Sequence, residues 1–321
     1  MAGSVQKSVI LAKPESTLGS DAGPNNTDDA LAIRVTNLSA KNDPVFVDRD
    51  VITGVLAGND KVEVTRRASV AFSVDFQGSG TPGVAPAWGK LLQACGMAET
   101  VTPDERVDYT PISVGMGALT IWAYINGRLE KYTFCMGSFT PSIKGGQLAG
   151  LDFTFKGLVS DIAASVPPTP ALNAWVKALP VNKNNTSQIK LGCDYVDGAL
   201  TGGTGYNFQE FTLDAACDVQ YLNLVNPEIV GIFGRSPTAK FVADFSGAQH
   251  AALVAAQHAG TLQSVGLVHG TEPGKTVMLF APAATLTGVA DNTSGAVMLS
   301  EVSLVLRPSS VGNDDFRIVA L

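Results

Sequence analysis

The sequence predicts an α+β protein that is mainly β and is built from two tandem units. Strand-like runs separated by turns occupy most of the chain, and each unit has one helix-like segment. Residues 67–76 (RASVAFSVDF) also resemble residues 236–245 (SPTAKFVADF). In that alignment Phe72 matches Phe241 and Phe76 matches Phe245. We therefore interpret the second half of the chain as a repeat of the first, with mostly antiparallel sheets.

The chain divides into four regions under this interpretation. Residues 1–45 form an N-terminal arm, 46–162 a first domain, 163–182 a proline-rich linker and 183–321 a second, similar domain. The length of 321 residues is enough for two domains. Only 16% of the residues are charged and 45% are hydrophobic, which is a small charged share for a protein that stands alone. We expect much of the surface to be buried against other subunits.

The arm is expected to be extended, because prolines and glycines interrupt it. It contains one strand-like run, at residues 30–35. An arm of this length should not find enough contacts on its own core, so we expect it to reach a neighbouring subunit. Residues 46–60 then form a turn-rich excursion compatible with a hairpin.

In the first domain, residues 62–77 alternate between apolar and polar, as a half-buried strand does. A helix should begin at Pro86 and end at Gly96. Its apolar face consists of Trp88, Leu91, Leu92 and Cys95. A polar loop is expected at 99–108, Asn126-Gly127 is a strong hairpin signal, and further strands are predicted at 107–114, 119–125, 131–143 and 148–159.

The linker contains the run VPPTP at residues 166–170, which should be stiff and extended. The second domain has a predicted helix at 248–259, closed by Gly260. Its strands are predicted at 189–196, 208–222, 229–245, 262–268, 275–287, 297–306 and 316–321.

Composition argues against several classes of function. Apolar runs stay below 18 residues, so no membrane span and no membrane partner are expected, and the N-terminus does not read as a signal peptide. The net charge is −7, shared between both halves without a basic stripe, which disfavours tight nucleic-acid binding. The four cysteines lack metal-site spacing and are expected to be reduced, buried thiols.

Two glycine motifs suggest phosphate binding but do not meet its requirements. Gly78, Gly80 and Gly83 match the dinucleotide fingerprint, yet no parallel βαβ unit surrounds them and two prolines remove amides. Residues 270–276 (GTEPGKT) have one residue too few between the glycines for a P-loop, and a strand follows. We predict a strand-to-helix loop and a hairpin turn, respectively.

Other chemistry is also unsupported. The three histidines have no clustered cysteine or carboxylate, and no nucleophile elbow occurs. The paired carboxylates lie in polar turns. The sequence therefore predicts no catalytic residue, no metal and no cofactor, and the protein is not expected to be an enzyme.

The chain resembles the major tail tube proteins of bacteriophages with long, non-contractile tails. Residues 72–96 (FSVDFQGSGTPGVAPAWGKLLQACG) are the most specific part of the resemblance. Residues 10–19, the Tyr109-Thr110-Pro111 segment, the strand after Asn126-Gly127, residues 151–157 (LDFTFKG) and residues 312–318 (GNDDFRI) continue it.

The resemblance implies two packed antiparallel sheets with one flanking helix. Subunits would join edge to edge into a ring lined by a β-barrel, and rings would stack into a tube through the arm and a long loop. Inter-ring candidates in the arm are Lys13, Pro14, Glu15, Thr17 and Gly19. Anchors of the core and of the repeat are Phe72, Phe76, Trp88, Leu91, Leu92, Phe241 and Phe245.

The resemblance also implies a setting and partners. The protein would be assembled in the host cytoplasm and located in the virion tail, where viral DNA passes through the lumen without specific binding. The expected partners are further copies of itself, a tape measure protein, a tail terminator and a distal tail protein. The lumen residues do not follow from the sequence.

The repeat affects the expected stoichiometry. Such tubes usually have six domains per ring, so two domains per chain predict a homotrimeric ring with pseudo-sixfold symmetry. The alternative is a hexameric ring, because the repeat is irregular. Arg67 aligns with Ser236, 169 residues later, whereas Lys131 aligns with Lys275, 144 residues later. Two other functions stay open: a distal tail or baseplate hub protein of the same fold, and a carbohydrate-binding or adhesin module, for which the candidate aromatics are Tyr195, Tyr206, Phe208, Phe211 and Tyr221.

Overall fold

A computed structural model describes residues 7–25, 31–52, 54–56 and 58–321. The described chain is mainly β, as predicted. Its N-terminal half contains β1 (Val9–Pro14), β2 (Leu31–Ile33), β3 (Thr36–Arg49), β4 (Asp60–Asp75), α1 (Gly89–Gln93), β5 (Met97–Thr102), β6 (Arg106–Pro111), β7 (Leu119–Ile125), β8 (Arg128–Lys144) and β9 (Gly150–Ala164).

The C-terminal half has a similar set of strands and one helix. It contains β10 (Ile189–Val196), β11 (Ala199–Tyr206), β12 (Phe208–Asp214), β13 (Cys217–Asn223), β14 (Glu228–Arg235), β15 (Thr238–Ala243), α2 (Gly247–His258), β16 (Leu262–His269), β17 (Val277–Ser294), β18 (Val297–Arg307) and β19 (Arg317–Ala320).

Strand pairing in the N-terminal half follows one continuous path. The antiparallel order is β1–β7–β8–β9–β4–β3, and β2 pairs with β1. Phe72 on β4 lies opposite Phe153 on β9, and their rings are 5.9 Å apart. The alternation that predicted β4 thus places its apolar face in the core.

Strand pairing in the C-terminal half follows the same order. The path is β10–β16–β17–β18–β15–β12, and β11 pairs with β10. Phe241 on β15 lies between Phe211 and Val302. In both halves a helix follows the fifth strand of the path. The number of residues between equivalent positions of the two halves varies because each half contains an extra hairpin at a different place. The β5–β6 hairpin follows α1 in the first half, whereas the β13–β14 hairpin precedes β15 in the second.

The two halves share one large sheet, and β13–β14 forms a second, two-stranded sheet. Among the described residues, two strand pairings join the halves: β12 pairs with the end of β8, and β19 lies between β6 and β17. The largest hydrophobic cluster of the described residues runs from Ile10 to Ala320, and both it and a smaller cluster contain residues of both halves. Separate cores for the two halves are therefore not seen in the described residues.

Both predicted helices are present with altered bounds. α1 is shorter than predicted: the chain passes through turns before Gly89 and after Gln93, and Gly96 has a left-handed φ of +75°. α2 begins after Ser246, whose hydroxyl accepts from the Gln249 amide in a capping box. None of the described helices is long and apolar enough to cross a membrane.

Several strand predictions need correction. The polar loop expected at 99–108 is largely the β5–β6 hairpin. Most of β5 is only partly buried or exposed and carries polar residues, whereas four of the six residues of β6 are buried, including the charged Asp108. The single strands expected at 208–222 and 229–245 are each broken in two. Ala216, with φ of +45°, lies between β12 and β13, and Pro237 lies between β14 and β15. The missed strand β11 is rich in glycine, which weakens the strand pattern.

The N-terminal arm differs from expectation in how it packs. Val9–Pro14 forms a strand that pairs with β7, and Ile10, Leu11 and Ala12 are buried. The statement that the arm cannot find contacts on its own core is therefore wrong for β1, since β7 offers an open sheet edge. Within the region predicted as a possible hairpin at 46–60, residues 46–49 and 60 belong to the outer part of a longer hairpin, β3–β4. Thr53 and Ala57 lie outside the described residues.

Candidate assembly interface

The segment after β1 is held to its own sheet by Glu15. One carboxylate oxygen of Glu15 accepts from the Phe134 amide at 2.7 Å and from the Thr120 hydroxyl at 3.0 Å. The other oxygen accepts from the Gly19 amide at 2.6 Å. Gly19 has φ of +80°, and a side chain there would crowd the Phe134 ring. Glu15 thus shapes residues 15–19 into a turn that rests on β7 and β8.

The outer face of this turn is open. Lys13, Pro14 and Glu15 are half-buried, whereas Thr17 and Gly19 are exposed. Leu18, which is not among the residues predicted from the sequence, is 50% exposed. Of the five predicted arm residues, Glu15 therefore has its functional groups directed into the fold, and Thr17 lies beside an exposed apolar side chain.

Six of the seven predicted anchors lie in the core. Phe72, Phe76, Trp88, Leu91, Leu92 and Phe241 are at most 2% exposed. Trp88 packs between Phe76 and Tyr109 with ring centroids 5.5 and 5.3 Å away, and its indole donates to the Gln77 carbonyl. Phe245 is half-buried and packs on Tyr206 at 4.7 Å.

The junction between the halves is a short β ladder. Glu210, Phe211 and Thr212 on β12 lie opposite Lys144, Ile143 and Ser142 on β8. Phe211 and Ile143 are buried, and Lys144 forms a 3.2 Å ion pair with Glu210. The Gly145 and Ala215 amides extend the ladder by donating to the carbonyls of Gln209 and Phe139. Backbone groups of the two halves are thus hydrogen-bonded to each other where the halves meet.

A buried carboxylate adds a polar contact between the halves. Asp108 on β6 accepts from the Tyr195 hydroxyl at 2.7 Å and from the Arg317 guanidinium at 3.0 Å. Arg106 donates to its second oxygen at 3.1 Å. The Arg317 guanidinium also stacks over the Tyr195 ring. Burial and the neighbouring Asp108 carboxylate raise the pKa of Tyr195, so its hydroxyl remains a donor.

The two glycine motifs contact each other. The Gly80 amide donates to the Gly274 carbonyl at 2.7 Å. A Cβ on Gly78 would lie 2.2 Å from that same oxygen, and Gly80 and Gly274 both have positive φ. The glycines therefore permit backbone contact between the loop before α1 and the turn between β16 and β17. This contact uses backbone that a phosphate site would need.

Two of the strands with an open edge are β3 and β17. Among the described residues, β3 pairs only with β4, and residues 288–294 of β17 pair only with β18. Thr293, near the end of β17, is exposed, whereas Ile143, near the end of β8, is 1% exposed. Unpaired edges recruit further strands, so these edges are candidates for contact with another chain.

The outer part of the β3–β4 hairpin exposes apolar side chains. Phe46 and Val47 on β3 are 49% and 55% exposed, and Val62 and Val64 on β4 are 51% and 56% exposed. Val47 and Val62 lie opposite each other. This surface was not predicted from the sequence, although the apolar residues of 45–64 could have indicated it. Such clustering typically marks a protein contact.

The described residues offer little for catalysis. They contain no group of three or more potential metal ligands. Cys95, Cys135 and Cys193 are buried, and Cys217 is half-buried with a pKa raised to about 11 by burial. His250 lies beside Ser300, whereas His269 is buried next to Thr186. All four cysteines are free, as predicted.

Comparison with known families agrees with a role in assembly. The sequence model of the phage tail tube protein family matches residues 5–304. The chain belongs to the phage tail tube protein family. No curated protein matches it. Family membership makes this chain a structural component of a virion tail, implies assembly with copies of itself into a tube, and places it in a family that is non-enzymatic in general.

The predicted membership in the tail tube family is thus confirmed at the level of the family. The match covers both halves of the chain, including α2, β16 and β17. The matched region therefore includes most of the C-terminal half.

Proposed function

We propose that this chain forms homotrimeric rings with pseudo-sixfold symmetry, and that these rings stack into the tail tube of a phage with a long, non-contractile tail. The observation that carries the proposal is the strand order shared by the two halves, which supports two tandem tail-tube-like units per chain. Three chains would then supply six units to one ring. Each unit-to-unit contact would remove an open strand edge, as a closed barrel does.

Ring stacking is proposed to use two exposed surfaces. One is the turn at residues 15–19, including Leu18, and the other is the outer β3–β4 hairpin with Phe46 and Val47. Both combine exposed apolar side chains with strands that are anchored in the sheet. The inter-ring role of Lys13, Pro14, Glu15, Thr17 and Gly19 stays a prediction. In this proposal Glu15 positions the turn and does not itself contact the neighbouring ring.

The tube would conduct DNA from the capsid into the host. The acidic net charge of −7 supports passage without tight binding, because like charges repel in the lumen. Assembly in the host cytoplasm and contacts with tape measure, terminator and distal tail proteins belong to the same proposal.

A hub or distal tail protein is the second candidate, since such proteins share the fold but cap a tube. An adhesin has less support, because the candidate aromatics lie in separate places. Phe211 is buried, Tyr195 contacts Asp108, and Tyr221 donates to the Ala68 carbonyl.

Native mass spectrometry and negative-stain electron microscopy of the concentrated protein test the proposal. We expect hollow tubes or stacked rings with three chains per ring. Six chains per ring would overturn the trimer in favour of a hexamer. Single closed rings or monomers at every concentration would contradict the tube and favour the hub.

A further inference from the structure

The ladder between the two halves indicates how one chain joins the next. We propose that residues 37–43 of β3 pair, antiparallel, with residues 288–294 of β17 in a second copy of this chain. The inference rests on the proposed ring of tandem units. It adds the strands and the register of the contact between chains.

The equivalence of the strands comes from their pairing. β3 pairs with β4 in the first half as β12 pairs with β15 in the second. In the same way, β8 pairs with β9 as β17 pairs with β18. Within the chain, β12 of the second half pairs with the end of β8 of the first half. By the same equivalence, β17 in the second half of one chain would pair with β3 in the first half of the next chain. Both strands have an unpaired edge among the described residues, since β3 pairs only with β4 and residues 288–294 of β17 pair only with β18.

The register follows from the same equivalence. Superposing Phe72 on Phe241 makes Ser39 equivalent to Thr212, because Ala71 and Lys240 are their respective partners. Along the other strand, Ser142 is equivalent to Asn292 through the β9 and β18 pairings. Since Thr212 lies opposite Ser142 inside the chain, Ser39 should lie opposite Asn292 of the next chain.

Burial agrees with this placement. At the internal junction Phe211 and Ile143 are 2% and 1% exposed. Their equivalents are Leu38, which is half-buried, and Thr293, which is exposed. A neighbour placed in the proposed register would cover both positions.

In both halves the helix forms a hydrogen bond with the long strand, β8 or β17, just before the segment that pairs or would pair with another unit. The Gly137 amide on β8 donates to the Ala94 carbonyl at the end of α1, just before the residues that pair with β12. On β17, the carbonyl of Thr287 accepts from the Gln257 side chain on α2, just before residue 288. Each helix thus contacts the long strand beside the edge and leaves the edge itself accessible.

Repetition of such a head-to-tail contact generates a closed ring when the rotation between units closes. One internal ladder and one ladder between chains would alternate around the ring. The partner is therefore a second copy of this chain, recognised through main-chain hydrogen bonds, with side chains of residues 38–40 and 291–293 fixing the register.

Disulfide trapping tests the register. Facing residues of an antiparallel pair have Cα atoms about 4.5–5.5 Å apart, within the range that a disulfide spans. We expect Ser39→Cys/Asn292→Cys to give a covalent trimer under oxidising conditions on a non-reducing gel. Ser142→Cys/Thr212→Cys is the matched control that should link within one chain. Ser39→Cys/Thr293→Cys places the second thiol on the other face and should link at least tenfold less.

The oligomeric state of each reduced variant is measured separately by native mass spectrometry. Trimers that fail to cross-link through Ser39→Cys/Asn292→Cys, while the internal control links, would overturn the proposed register and leave the ring intact. Trimers that link better through Ser39→Cys/Thr293→Cys would overturn it as well. Loss of rings in the reduced unmodified protein would instead count against the proposed function.

Discussion

The Gly80 amide donates a 2.7 Å hydrogen bond to the Gly274 carbonyl, which joins the two loops that resemble phosphate-binding motifs. Their glycines are explained by this backbone contact. Glycine removes the Cβ that would otherwise separate the chains. A feature typical of nucleotide binding thus serves the packing of the two halves.

Gly78→Ala tests the importance of this contact. Its φ lies outside the left-handed region, yet its Cβ would lie 2.2 Å from the Gly274 oxygen, so alanine should force the loops apart. We expect a loss of about 1–3 kcal/mol in the free energy of unfolding, measured by urea denaturation. Gly117→Ala is the matched control, because its Cβ would meet nothing within 4 Å. Equal stability of the two variants would contradict a packing role for Gly78.

Glu15→Ala should destabilise the N-terminal turn. The change leaves the Phe134 amide without its acceptor and should lower the free energy of unfolding by about 1–3 kcal/mol. Glu272→Ala removes a carboxylate from an exposed pair with Lys275 and should cost less than about 0.5 kcal/mol. Thermal melting of both variants provides the comparison. Similar melting temperatures would mean that Glu15 does not anchor the turn.

Leu18→Lys tests ring stacking. Because Leu18 is 50% exposed, the change should alter stability by no more than about 0.5 kcal/mol. We expect single rings to form and long tubes to be absent by electron microscopy. Val166→Lys, at a position 86% exposed in the linker, should leave the tubes intact. Normal tubes from Leu18→Lys would remove the turn from the proposed inter-ring contact.

Asp108→Ala should weaken the junction between the halves. The substitution leaves Arg106, Arg317 and Tyr195 without a shared acceptor, and breaking such a buried pair costs about 3–5 kcal/mol. Asp197→Ala removes only a 3.8 Å contact to Arg106 from a side chain that is 89% exposed. Urea denaturation should separate the two variants clearly. An Asp108→Ala protein as stable as Asp197→Ala would show that the network contributes little.

Acid should destabilise the fold through His269. Burial lowers the pKa of this imidazole in the folded protein, so below about pH 6.5 the unfolded chain binds more protons than the folded one. The resulting loss of stability begins as pH falls through the unfolded pKa. His269→Gln should therefore lose less in Tm than the unmodified protein between pH 7.5 and pH 5.5. An equal loss in both proteins would assign the pH dependence to other groups.

The sequence predicted strands with clear alternation well. β7 and β10 have the predicted bounds, and β4 differs by two residues at each end. The weaker predictions involve segments that depend on their neighbours. β1 looked like part of an arm because its strand character depends on an edge of β7 that lies more than 100 residues away. β11 was missed because a glycine-rich strand has too few side chains to show a period.

The candidate interface was predicted only in outline. The resemblance directed attention to the arm, but the sequence did not separate Glu15, which binds the sheet, from Leu18, which faces outward. The open edges of β3 and β17 could not be predicted either. Whether a strand is an edge depends on which strands lie beside it.

The sequence by itself determined the mainly β class, the family and the similarity between residues 67–76 and 236–245, because these depend on local alternation and residue identity. Only the tertiary structure decided that both halves follow one strand order, that β12 pairs with β8, and that Gly80 meets Gly274. Those features depend on contacts between residues far apart in the chain. Such contacts are set by packing and backbone hydrogen bonding in the folded protein, and a local pattern in the sequence does not contain them.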